Sequence, residues 1–253
     1  MTTFLSQTRL VFFREFRALL ATPLYYVLTG IFFLLTSMIY LVMLLEFVRG
    51  DAGSTVNVTE SVVRPMFHGV HFFLMVQIPL LTMRVFAEDR SSGMLDLLQT
   101  TPARDWALVM GKFLGTLAGI LLYIALTALF PLLTAAMGTV EWPVIIGSLA
   151  ALVLGSAAYI AVGIFFSAVT EAQVVAAVLS YVALFVIFFA SYFADGFQSV
   201  AMKQAVDHFA VMEHISSILS GNIAAMNVVY FIALGSIFLF LTARLLESRR
   251  WSN

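Results

Sequence analysis

Long runs without a charged residue constrain this chain more than any other feature. Arg17 and Glu46 enclose 28 uncharged positions, and Arg64 and Arg84 enclose 19. Further runs lie between Lys112 and Glu141, Glu141 and Glu171, Glu171 and Asp195, and in the stretch before Arg244. A helix needs about 20 mostly apolar residues to cross the hydrocarbon of a bilayer. A charge at mid-span costs about 2.5–3.5 kcal/mol on insertion scales, against about 0.3–0.6 returned by each Leu, Ile, Phe or Val. The runs therefore predict an all-α membrane protein with six transmembrane helices. The first is expected over Leu24–Leu45 and the sixth over Asn227–Leu246, with the other four filling the gaps named.

Composition closes off the soluble alternatives. Of 253 residues, 62% are hydrophobic and 11% charged, and the mean hydropathy is +1.01. A soluble domain carries about a quarter charged residues and has too much surface to hide this many apolar side chains. A net charge of −1 gives no sign of nucleic-acid binding. The chain has no cysteine, which excludes disulfides, thiol chemistry and cysteine metal sites. Arg14, Glu15 and Arg17 interrupt the N-terminus where a signal peptide needs an apolar core, so the first span is expected to act as its own insertion signal.

Lys and Arg set the expected orientation. With six spans, one side holds Arg9, Arg14, Arg17, Arg84, Arg90, Arg104, Lys112, Arg244, Arg249 and Arg250; the other holds Arg49, Arg64 and Lys203. This predicts both termini in the cytoplasm. Residues Thr2 to Leu20 place Thr2, Ser6, Arg9, Arg14 and Arg17 on one helical arc and Leu5, Phe12, Phe16 and Leu19 roughly opposite. Residues 1–22 thus predict an amphipathic helix in the cytoplasmic interface, ended by Thr22-Pro23. Gly111, Gly115 and Gly119 in the third span, and Gly147, Ala151, Gly155 and Gly163 in the fourth, mark surfaces where helix backbones approach closely. No internal repeat or linker divides residues 1–253, which read as one domain.

The loop between the second and third spans, residues 86–105, is the richest segment. Ser91 or Ser92 can cap a short helix with Asp96 in its early turn; Met94, Leu95, Leu97 and Leu98 give it an apolar surface, and Pro102 stops it. Such a helix either docks a protein partner or lies on the membrane. Residues 196–222 carry enough apolar side chains to predict a structured external segment, ended by Gly221-Asn222.

The residues bear on three other functions. An ion-coupled secondary carrier needs ionisable groups at mid-membrane; Gln77 is the main strongly polar side chain the spans offer at depth. An intramembrane enzyme could use His68 and His71, spaced i and i+3, to face a metal, but no HExxH or carboxylate pair accompanies them and an interfacial place for the rings is expected. His208, Glu213 and His214 read as a solvated or interfacial face. A membrane scaffold or assembly factor without a transport cycle differs only in lacking an ATPase partner.

The strings IPLLTMRVFAEDRSSGMLDLLQTTPARDWALVMGK and AAYIAVGIFFSAVTEAQVVA, with ATPLYYVLTGIFFLL and the stretch Asp207–Asn227, resemble the permease subunits of type-2 ATP-binding-cassette (ABC-2) transporters. The resemblance covers nearly the whole chain in order and lies closest to the gliding-motility-associated permease, F subunit. It departs at Asp89-Arg90-Ser91-Ser92, where the family carries more lysine, and at Met94, where it carries threonine.

The resemblance implies a type-2 exporter transmembrane domain whose N-terminal helix is the elbow helix. Residues Glu88 to Thr101 would be the coupling helix docking on a separate ATPase subunit, with Glu88, Asp89, Arg90, Gly93, Met94, Leu95, Leu98 and Pro102 as the coupling residues. ATP and Mg would sit on that partner and no cofactor on this chain; a second permease half, identical or related, would complete the path in the bacterial inner membrane. The residues agree on one point: the pattern GxxxxGK[ST] of a phosphate-cradling loop is missing, since Gly111-Lys112 is followed by Phe113.

Overall fold

The computed structural model describes residues 4–50, 57–93, 105–190, 210–222 and 224–250. Helix α1 covers Phe4–Ala21 and α2 Pro23–Arg49. A π-helical turn at Thr59–Val63 leads into α3, Arg64–Thr82, and after Met83 the chain continues as α4, Arg84–Ser91. Then follow α5, Asp105–Thr127; α6, Leu129–Met137; α7, Trp142–Val169; α8, Gln173–Phe188; α9, Val211–Leu219; and α10, Ala225–Arg250.

Five stretches are long and apolar enough to cross a membrane: α2, Thr59–Ser91, Asp105–Ala136, α7, and Ala225–Ser248 within α10. The sixth, α8, is apolar with 16 residues in the helix. The bundle is all-helical in its described residues and carries the six expected spans. The boundaries differ from the charge gaps in instructive ways. The third span starts at Asp105, seven residues before Lys112, so Lys112 lies inside the helix and not at its mouth. The same span breaks at Ala128 because Pro131 has no N–H to give the Thr127 carbonyl one turn earlier.

Helix α7 is the hub. It packs against α3, α4, α5, α8, α9 and α10, while α2 rests on α3 and α5. Only one stripe of α2 is buried, formed by Tyr25, Leu28, Phe32, Thr36 and Tyr40 at helical spacing. The stripe is aromatic at both ends. Phe32 stacks on Tyr123 at 5.2 Å, and Tyr40 meets Phe130 at 5.1 Å while its hydroxyl lies 3.0 Å from Thr134 Oγ1. Tyr25 Oη donates to the Gly119 carbonyl at 2.9 Å, and Gln77 Nε2 donates to the Leu28 carbonyl at 3.0 Å. Gln77 therefore ties α3 to α2.

The third-span glycines seat α1. A Cβ at Gly111 would meet Val11, at Gly115 Glu15, and at Gly119 Leu19. The buried face of α1 accordingly contains Thr8 and Leu19, with Val11 and Glu15 between them. Leu5 of the apolar arc is 76% exposed, away from this seam, while Glu15 faces inward. In α7, Gly155 lies against Ile215 and His71, and Gly163 against Thr82. Helix α9 ends as its residues predict, with Gly221 at φ +81° and its N–H donating to the Ile218 carbonyl.

Candidate coupling site

The second span does not stop at Arg84. Phe86 and Ala87, like the first N–H donors of any helix, have no carbonyl of their own helix to bond; both donate to Ser167 Oγ on α7, at 3.0 and 3.1 Å. Ser167 in turn donates to the Met83 carbonyl at 2.8 Å. One hydroxyl thus secures the junction of α3 and α4 and extends the span to Ser91. Ser91 and Ser92 close this helix: both hydroxyls donate to the Glu88 carbonyl, and Ser92 is the C-cap. Gly93 follows at φ +70°, the left-handed conformation that glycine adopts freely at a helix end, with its N–H on the Arg90 carbonyl.

Of the eight candidate coupling residues, four lie on this turn. Glu88 is exposed, Asp89 and Arg90 are half-buried, and Gly93 ends the turn. Met94, Leu95, Leu98 and Pro102 lie outside the described residues, as do Asp96, Leu97 and residues 196–209 of the external segment.

Asp89 and Arg90 reach in different directions. Arg90 donates to the Val169 carbonyl at 3.0 Å and pairs with Glu171 at 2.9 Å, fastening α4 to the turn between α7 and α8. Asp89 pairs with Lys112 at 2.7 Å and with Arg14 at 3.3 Å. Lys112, 1% exposed, also pairs with Glu15 at 3.2 Å, donates to the Val85 carbonyl, and lies 4.9 Å from the Phe86 ring centroid. Arg84 adds a bond to the Ala18 carbonyl at 3.2 Å. These groups border a cleft of about 390 Å³ lined by α1, α4 and Lys112 of α5.

Sequence reading had no means of pairing Lys112 with Glu15, 97 positions away, or of seeing Ser167 as a helix junction. The sole hint was a lysine set between two glycines of a packing stripe.

His71 and His214 are structural ties. His71 Nε2 lies 2.9 Å from Tyr159 Oη, and its ring stacks on Phe188. His214, expected on a solvated or interfacial face, is buried: Nδ1 lies 2.8 Å from Asn227 Oδ1 and the ring stacks on Tyr230 at 4.1 Å. Helix α9 turns Val211, His214, Ile215, Ile218 and Leu219 into the bundle, which draws the imidazole in with them. Among the described residues, no group of three or more His, Cys, Asp or Glu is placed to hold a metal ion.

The sequence profile of ABC-2 family transporter proteins matches residues 57–245, most of the chain. The chain belongs to the ABC-2 transporter family. No curated protein matches it. As an ABC-2 transporter protein it is a multi-pass membrane component of a transport system, and its matched region runs from the π-helical turn before α3 to near the end of α10. Helices α1 and α2 both precede the matched region.

Proposed function

We propose that this ABC-2 protein is the permease half of an exporter driven by a separate ATPase subunit, to which the span 2–3 loop docks. ATP and Mg act on the partner, and a second permease half, identical or related, completes the path. The reading places the chain in the bacterial cytoplasmic membrane with both termini in the cytoplasm, close to the gliding-motility F-subunit branch. It assigns residues 1–22 to the elbow helix, 86–105 to the coupling segment and 196–222 to the external segment of a single permease domain.

The observation that carries this reading is the continuation of the second span from α3, across the junction at Met83, into α4. It ends in a turn whose Glu88, Ser91 and Ser92 are exposed while Asp89 and Arg90 grip two different neighbours. A load on that turn reaches α5 and α1 through Asp89 and the α7–α8 turn through Arg90. Energy can move the spans only through contacts that differ between two states, and the ion pairs of Asp89 and Arg90 are the contacts this reading expects to change.

The test is co-purification of the ATP-binding-cassette subunit encoded beside the permease, together with permease-stimulated ATP hydrolysis. A buried apolar hot spot is worth about 2 kcal/mol, so Leu95→Asp is expected to weaken association at least about tenfold. Ser248→Asp, remote from the loop in sequence, is expected to leave it unchanged. Full association and stimulation in Leu95→Asp removes the docking assignment. If no ATPase binds the unmutated protein, a membrane scaffold replaces the permease.

A further inference from the structure

Among the described residues Lys112 is a buried charge with a partner for every donor. An ammonium has three N–H donors, and three acceptors from two other helices meet them: Glu15 Oε2 of α1, and Asp89 Oδ2 and the Val85 carbonyl of α4. With Arg14 the cluster holds two cations and two carboxylates, so it is neutral as a whole. Glycines 111 and 115 flank it and bring the α1 backbone against α5, so the ion pairs sit on a close helix seam.

Stability is a poor reason for this arrangement. Removing charges from water costs several kcal/mol per ion, and well-packed apolar side chains often serve a buried site as well or better. What apolar packing does not supply is a directional link among three helices at one point. Lys112 supplies that link, and it joins Asp89 of the proposed docking turn to the helix before the first span and to the third span.

We propose that Lys112 is a positioning residue of the transport cycle, the joint that carries movement of the docking turn to α1 and α5. This rests on the permease reading. Lys112→Met, a Lys112→Met/Glu15→Gln variant that leaves Asp89 paired with Arg14, and the conservative Lys112→Arg are compared with the parent, each with its ATPase in nanodiscs. The double variant removes the unpaired buried carboxylate that the single one leaves on α1, so it answers if the single one does not fold. Spin labels at Leu10→Cys on α1 and Ala172→Cys in the α7–α8 turn report their separation by pulsed EPR, without nucleotide and with ATP plus vanadate. Both positions are exposed, and the chain has no native cysteine.

The expected result is an ATP-dependent shift in the parent, loss of that shift in the double variant with the ATPase still bound, and its return in Lys112→Arg. An undiminished shift in the double variant with ATPase bound overturns this inference alone, as does a bound ATPase with no shift in the parent. No ATPase bound to the parent overturns the permease reading and this inference with it.

Discussion

Gly111→Ala tests the seat of α1 through a single added carbon. The new Cβ would lie 2.5 Å from Val11 Cβ and 3.0 Å from the Thr8 carbonyl oxygen. Neither atom can swing aside, since one is fixed to the backbone and the other belongs to it. Carbon atoms reach their best contact at about 3.5–4.0 Å, so α1 must retreat by about 1 Å. Overpacking of this kind costs about 1–3 kcal/mol. The substitution also removes a helical glycine, which by itself favours the helix by about 1 kcal/mol.

Gly30→Ala separates the two effects. It makes the same change in α2, where a Cβ would meet nothing within 4 Å. The difference between the variants leaves the overpacking cost, about 1–3 kcal/mol in favour of Gly30→Ala. Equilibrium unfolding in a constant detergent–lipid mixture measures that difference. Equal stabilities would refute the close seating of α1 on α5, and with it the geometry that brings Glu15 to Lys112.

Other outcomes follow from the same contacts. Ser167→Ala strips the acceptor from the Phe86 and Ala87 N–H groups, an expected loss of about 1–3 kcal/mol for each buried group left unpaired; hydrogen exchange at these two amides should accelerate, and unchanged protection would sink the junction role. His214→Ala leaves Asn227 without its 2.8 Å partner and removes the ring stacked on Tyr230, so the thermal midpoint should fall, whereas a solvated histidine would leave it in place. For topology, cysteines placed at Ser54 and Ser199 should react with an impermeant maleimide from outside, and those at Ser92 and Ser248 should not. Outside labelling at Ser92 would reverse the orientation.

Spans were legible because a bilayer imposes one coarse rule on every residue. A charge at depth costs more than several apolar residues return, so the gaps between charges located all six helices and the family match agrees with that class. The same rule misplaced Lys112, and the reason is physical. It treats each charge as solvated or alone in lipid, whereas Lys112 escapes both through Glu15 and Asp89, residues that a linear reading had placed on an interfacial helix and in a loop. Glu15 was hidden for a related reason. A polar arc is drawn from one helix by itself, but the face α1 buries is chosen by the glycine stripe of α5, which accepts whichever side chains lie at the right height. His214 follows the same logic, since α9 must bury Ile215 and Ile218 and the imidazole on that side goes with them, made tolerable by Asn227 from the last span. In each case periodicity located the helix, and a partner distant in sequence decided which side chain could be buried. Sites built from paired charges or hydrogen bonds across helices are therefore the part of a membrane protein least visible in its sequence, and here they include the candidate coupling site.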